Sequence, residues 1–243
     1  MVWRVPNVLS ALGVAFAVMA VGPWAATSSA GTIIGDAVLL SDLVSGEIDS
    51  ITVGDKEFSE FGYQRTGDMP GAEGVNVVPI VDDDGNYGVQ FQGAFIDLAS
   101  SAGGSDALIT YTVRVTDPRR LISDAHLQGN PNLLGETGSI SVTETFLPLG
   151  VNDEFTMSIF DDESIPTPKL ADVTYFSPWV KELKVQKDIL AIATQAATTS
   201  ATSATLSWVD QTFSQVDVPE PATVALLLVG GVGLAMRRRM GRL

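Results

Sequence analysis

The feature that most limits what this chain can become is a period of two in its apolar residues. In "ALITYTVRVT", Ala107, Ile109, Tyr111, Val113 and Val115 share one parity, while Thr110, Thr112, Arg114 and Thr116 share the other. An extended strand with that pattern puts one side in a core and the other in water. "NYGVQFQGAF" repeats it with Tyr87, Val89, Phe91 and Phe95. "LISDAHL", "GSISVTETF", "FTMSIF", "ADVTYF" and "ATLSWVDQTF" add further strands, separated by Gly, Asp, Asn and Pro clusters at hairpin spacing. The clearest hairpin is "VNVVPIVDDDGNYGVQF", which turns through Asp82 to Asn86 with Gly85 available for a positive φ. Evenly spaced strands without a helical period between them predict an all-β fold, an antiparallel sandwich of jelly-roll or immunoglobulin-like type with about eight to ten strands.

Two places test this pattern. In "SPWVKELKVQKDILAIATQAAT", Ser177 ahead of Pro178 is a helix-start signal, whereas Leu183, Val185 and Ile189 alternate as in a strand, with Lys187 interrupting the face. The alternation favours the strand. Glu144 shares its parity with Ile140, Val142 and Phe146 and so points at the predicted core unless a bulge intervenes. A buried carboxylate needs a partner, and Arg114 or a lysine could provide one.

All 29 acidic residues lie between Asp36 and Glu220, whereas five of the 14 basic residues sit in the two ends. The acidic body repels phosphate backbones, which argues against nucleic-acid binding. With no cysteine, disulfides, thiol nucleophiles and thiolate metal sites are excluded. His126 is the single histidine and falls on the polar side of its strand with Asp124 and Gln128, where solvation is expected. There is no nucleophile elbow, P-loop or dinucleotide fingerprint. The chain is therefore expected to be non-catalytic and to carry no resident cofactor. Asp82, Asp83, Asp84 and Asn86 offer hard oxygens suited to Ca²⁺, but the loop lacks the spacing of an EF-hand and reads first as a solvated hairpin tip, with a loop calcium ion as the alternative. "FDDES", with Asp161, Asp162 and Glu163, reads the same two ways.

The ends read as addresses rather than fold. The first thirty residues carry Arg4, an apolar run from about Val8 to Val21, and small residues after it. Ser28 and Ala30 fit a signal-peptidase site, with cleavage expected between Ala30 and Gly31. At the other end, Pro219, Glu220 and Pro221 precede the apolar run Ala222 to Met236, followed by Arg237, Arg238, Arg239 and Arg242. At 1.5 Å per residue that run is ~22 Å long, short against the ~30 Å hydrocarbon layer. The arginines would hold its end in the cytoplasm, with everything upstream exported. Residues 1–30, 31–217 and 218–243 are accordingly read as signal peptide, ectodomain and sorting tail.

"VPEPATVALLLVGGVGLAMRRR" resembles the PEP-CTERM sorting signal: a Pro-Glu-Pro motif, a brief transmembrane helix and an arginine cluster. The resemblance implies processing by an exosortase-type enzyme of a Gram-negative cell, transient residence in the inner membrane, and a surface or extracellular-matrix destination associated with exopolysaccharide. "ITVGDKEFSEFGY", "SDALITYTV" and "ISVTET" are similar to ectodomains of one group of these proteins, which brings no established activity. The expected role is structural or adhesive. The alternative is a carbohydrate-binding module or glycan-active enzyme sent by the same route, in which case two or three of Trp179, Trp208, Tyr63 and Tyr87 should line up in solvent.

Overall fold

The period of two is realised most cleanly in Glu182–Ala193, where every second residue is buried from Leu183 to Ala193 and those between face outward. That settles the ambiguous segment as strand. The computed structural model describes residues 30–100, 103–135, 137–194 and 202–218. Among them the strands are β1 (Thr32–Ile33), β2 (Val38–Leu39), β3 (Ser50–Val53), β4 (Lys56–Arg65), β5 (Val75–Val81), β6 (Tyr87–Leu98), β7 (Ser105–Val115), β8 (Arg120–Gly129), β9 (Asn132–Leu134), β10 (Gly138–Pro148), β11 (Phe155–Asp162), β12 (Ala171–Val180), β13 (Glu182–Ala193) and β14 (Ser203–Asp217). One short helix, α1 (Leu40–Ser45), closes on Gly46 in the left-handed region.

The strands form an antiparallel β-sandwich. One sheet runs β1-β5-β6-β14-β8-β12, with β2 also on β5 and β9 also on β14; the other runs β11-β10-β13-β7-β4-β3. The strands outnumber the eight to ten expected. The additions are the two- and three-residue pieces β1, β2 and β9, too short for any periodicity, and the hairpin β3–β4. In β4 the register shifts between Ser59 and Gly62, where Glu60 takes φ 56°. A bulge of that kind breaks the alternation that marks a strand.

Between the sheets, Tyr111 lies 6.1 Å from Phe58, 5.6 Å from Phe61 and 5.7 Å from Phe91, ring centre to ring centre. Phe146 meets Phe213 edge-on at 6.3 Å and Phe176 at 5.4 Å. Such stacked, tilted and edge-on pairs add to the burial of large apolar rings. Gly54, at φ 59°, admits the Tyr87 ring where any Cβ would stand inside it. Strand β14 is central to its sheet, bonded to β6 on one side and to β8 and β9 on the other.

Candidate functional site

Alternate residues of β14 serve two different polar clusters. Gln211 turns inward; Asp210, Thr212 and Ser214 turn to the outer face, where they meet the β5–β6 hairpin and β8. Asp210 is only 4 % exposed. Its Oδ1 accepts from Gln90 Nε2 at 2.6 Å and its Oδ2 from the backbone N–H of Gly31 at 2.6 Å. Burial pushes the Asp210 carboxyl above its ordinary range; the two hydrogen bonds and Lys187 oppose that, and Asp82 reinforces it.

The hairpin tip is built by Asp82. Its Oδ1 accepts from the backbone N–H of Asp84 at 3.0 Å and of Asn86 at 2.8 Å, and its Oδ2 from Asn86 Nδ2 at 3.0 Å and Thr212 Oγ1 at 2.7 Å. Partial burial disfavours its charge, but the bonds from Thr212 and Asn86 outweigh this and hold its pKa below the ordinary value. Gly85 takes φ 84°, as the turn requires. Asp83 and Asp84 are exposed. Of the residues expected to offer oxygens to Ca²⁺, Asp82 is thus engaged by its own turn and by Thr212 of β14. Among the described residues no group of three or more acidic, His or Cys side chains converges as a metal site. "FDDES" is committed likewise, with Asp161 accepting from Leu133 N–H, Asp162 from Ser164 and Glu163 from Gly138 N–H.

His126 departs from the expected solvation. It is half-buried, with Nε2 2.7 Å from Asp124 Oδ1 and 3.1 Å from Ser214 Oγ. An acid, a histidine and a serine thus sit together, yet both partners meet the same ring nitrogen. A proton relay needs the carboxylate on one nitrogen and the hydroxyl on the other. A pocket of about 170 Å³ opens beside this cluster, lined by Ala30, Gly31, Asp82, Asp83, Asp84, His126 and Gln128.

On the inner face, Glu144 points into the core as its parity predicts. Its partner is Lys187, directly across from it on β13. Both side chains are fully buried. Lys187 therefore does not interrupt its apolar face but occupies it, with Gln211 Oε1 3.5 Å from Nζ and the Phe91 ring centre 5.8 Å away. Burial drives the Lys187 ammonium well below its ordinary pKa, against the pull of Asp210. Arg114, the other partner considered for Glu144, pairs instead with Glu57 at the surface.

Of the four aromatics weighed as a sugar platform, Trp179 is exposed, at 52 %. Tyr63 and Tyr87 pack against the core, and Trp208 is half-buried. The Tyr63 hydroxyl donates to Pro70 O at 2.7 Å, and burial pushes it up to about 12. Sequence reasoning missed Tyr175, which is 71 % exposed on β12. In "ADVTYF", Phe176 sets the register by packing edge-on against Phe146 and Phe155, and the neighbouring parity, Val173 and Tyr175, is turned out.

At the C-terminal end β14 runs to Asp217, further than "ATLSWVDQTF" implies. Val218 N–H donates to Arg119 O at 2.7 Å, and Arg120 Nε lies 3.1 Å from Asp217 Oδ1. Pro219, Glu220, Pro221, the arginines from Arg237 onward and the leader before Ala30 lie outside the described residues. Among the described residues no helix is long and apolar enough to cross a membrane.

A family model for the PEP-CTERM protein-sorting motif matches residues 217–239. The chain thus carries this sorting signal, which indicates export by the exosortase route and a surface-directed address. No curated protein matches the chain. Two solved structures are similar over part of their length. One is the enzymatically active domain of bacteriophage CBA120 tailspike protein 4, at 14% identity, 61% of this chain, 19% of that chain and a TM-score of 0.24. The other is a carbohydrate-binding module of the β-sandwich superfamily, at 6% identity, 65% of this chain, 57% of that chain and a TM-score of 0.27. This chain spans about a fifth of the first and somewhat over half of the second.

Proposed function

We propose that this protein is a non-catalytic component of the cell surface or extracellular matrix, acting by structure or adhesion within exopolysaccharide. An exosortase-type enzyme would cut the tail after the short C-terminal helix has held the precursor in the inner membrane. One observation carries the reading: the matched sorting motif begins at residue 217, where β14 ends. No spacer separates the matched motif from the sandwich, and the strand that enters it is bonded on both sides as far as Phe213 and to β8 from Ser214 to Asp217. Tension on the tail would reach the β8 ladder first and the β6 ladder behind it, which suits a tethered structural element. Arg119 and Arg120 hold the exit point through Val218 and Asp217.

The test is made on the protein from its native host, with and without the sorting enzyme. The expected mature form is extracellular and lacks the residues after about Pro221. Intact mass that retains Arg242 and Leu243 on a surface form, or a cytosolic globule with its leader attached, overturns the proposal.

A second reading, glycan binding, draws on Tyr175 and Trp179, both exposed on β12. They flank the register shift between Tyr175 and Val180. Glycan-array binding that disappears in a Tyr175→Ala, Trp179→Ala double variant would favour it over the structural role; an array without signal sinks it.

A further inference from the structure

The contact between Gly31 and Asp210 joins an exported chain's expected first residue to its most enclosed outer-face carboxylate. The Gly31 nitrogen lies 2.6 Å from Asp210 Oδ2 across 179 residues of sequence. In the unprocessed chain this nitrogen is an amide, able to donate one hydrogen bond and carrying no charge. We propose that hydrolysis of the Ala30–Gly31 bond makes it an α-ammonium that closes an ion pair with Asp210, so that leader removal completes the outer face of the larger sheet. The inference rests on the export reading given above. A leader peptidase adds water across the bond: the C–N bond breaks, Ala30 leaves as a carboxylate, and the Gly31 nitrogen takes up a proton to become cationic.

Three observations support a receptor for an ammonium. The first is charge. Gly31 lines one pocket with Asp82, Asp83 and Asp84 from the hairpin and His126 from β8, with Lys187 behind the sheet on the far side of Asp210. Asp82 acts on Asp210 and, with Asp83 and Asp84, makes the lining of the adjoining pocket acidic, which one ammonium would offset. The second is enclosure. Asp210 is 4 % exposed, and Gln90 already fixes its other oxygen, so the remaining oxygen is aimed at Gly31. The third is fit. A Cβ on residue 31 would lie 3.0 Å from Ile80 Cδ1 and 3.3 Å from both Asp210 Oδ2 and Val81 O. Glycine at the first mature position therefore lets the chain end reach the carboxylate, a requirement separate from what a peptidase needs on the other side of the bond.

The full chain is expressed in its native host with its own leader and purified from the extracellular or envelope fraction. N-terminal sequencing should give Gly31. Acylation of the α-amine, followed on the Gly31 peptide, should be at least about tenfold slower in folded than in denatured protein, the effect of one unit of pKa elevation. Its pH profile should place the amine above the ordinary ~7.7–8.0. The variant Asp210→Asn should remove most of that protection. A raised amine pKa stabilises the fold fully below the unfolded value and loses that contribution as pH rises through the folded value. The wild type should therefore approach Asp210→Asn in Tm as pH rises from about 7 to above 9. If the variant does not fold, the wild-type acylation profile decides alone. A first residue other than Gly31 overturns both the site of processing and the ion pair. Gly31 as first residue with an amine of ordinary pKa overturns the ion pair and leaves export standing.

Discussion

The two polar clusters on β14 differ in what closes them. On the inner side, Glu144 and Lys187 are cross-strand neighbours in β10 and β13, both with no exposed surface, and they meet Gln211 among aromatic rings. On the outer side, Asp210 is met by Gln90 and by the chain's amino-terminal segment, 120 and 179 residues away in sequence. The inner cluster is finished once the sheets pack. Under the proposed cleavage before Gly31, the outer one would depend on a segment whose chemistry changes when the chain is cut. A charge buried between the sheets is thus a matter of folding, whereas the proposed ion pair at Asp210 would be a matter of processing.

The sharpest way to break the inner cluster is Lys187→Met, which leaves Glu144 buried without its countercharge and should cost about 3–5 kcal/mol in denaturant unfolding. Adding Glu144→Leu should recover most of that loss, because replacing both partners by apolar groups removes the unpaired charge. A double variant no more stable than the single one would show that the pair does more than cancel itself. The outer cluster should give less: Asp210→Asn is expected to lose about 1–3 kcal/mol by leaving a buried donor without its charged acceptor. Loss as large as that of Lys187→Met would erase the contrast.

Smaller still is Thr212→Val, which removes one hydrogen bond to Asp82 and should cost about 1 kcal/mol. The pH dependence of the hairpin gives a finer probe. The pKa of Asp82 is lowered on folding, so its stabilisation is fully present above the unfolded value of ~3.9 and is lost as pH falls through the folded value. Wild type and Asp82→Asn should therefore converge in Tm only in strong acid; convergence already at pH 5 would show that the turn bonds do not hold the charge. The smallest effect expected is none. Arg114→Ala touches a surface pair with Glu57 and should leave the unfolding midpoint in place, as should exchange of a chelator for excess Ca²⁺.

Most of the sandwich was legible because strands with one wet face state their orientation residue by residue. Alternation also exposed Glu144, since a carboxylate on an apolar parity has to be explained. The same logic applied to Lys187 marks it as a second charge on an apolar face, but only the register of β10 against β13 brings the two opposite one another. Elements without a pattern escaped. β1, β2 and β9 are too short to show a period, and β4 hides its own behind a bulge at Glu60. On β12 both parities carry large apolar residues, so exposure of Tyr175 follows from where Phe176 finds its aromatic neighbours. The contact between Gly31 and Asp210 leaves no local trace at all.

By itself, the sequence determined the sandwich, its acidic surface, the absence of thiol chemistry and the sorting motif at 217–239, because each follows from composition or from spacing within a few residues. Tertiary structure alone decided which charges meet, which aromatics face water and where the amino-terminal segment lands. Those outcomes depend on register between strands far apart in the chain, and a shift of one residue would turn Asp210 inward and Gln211 out.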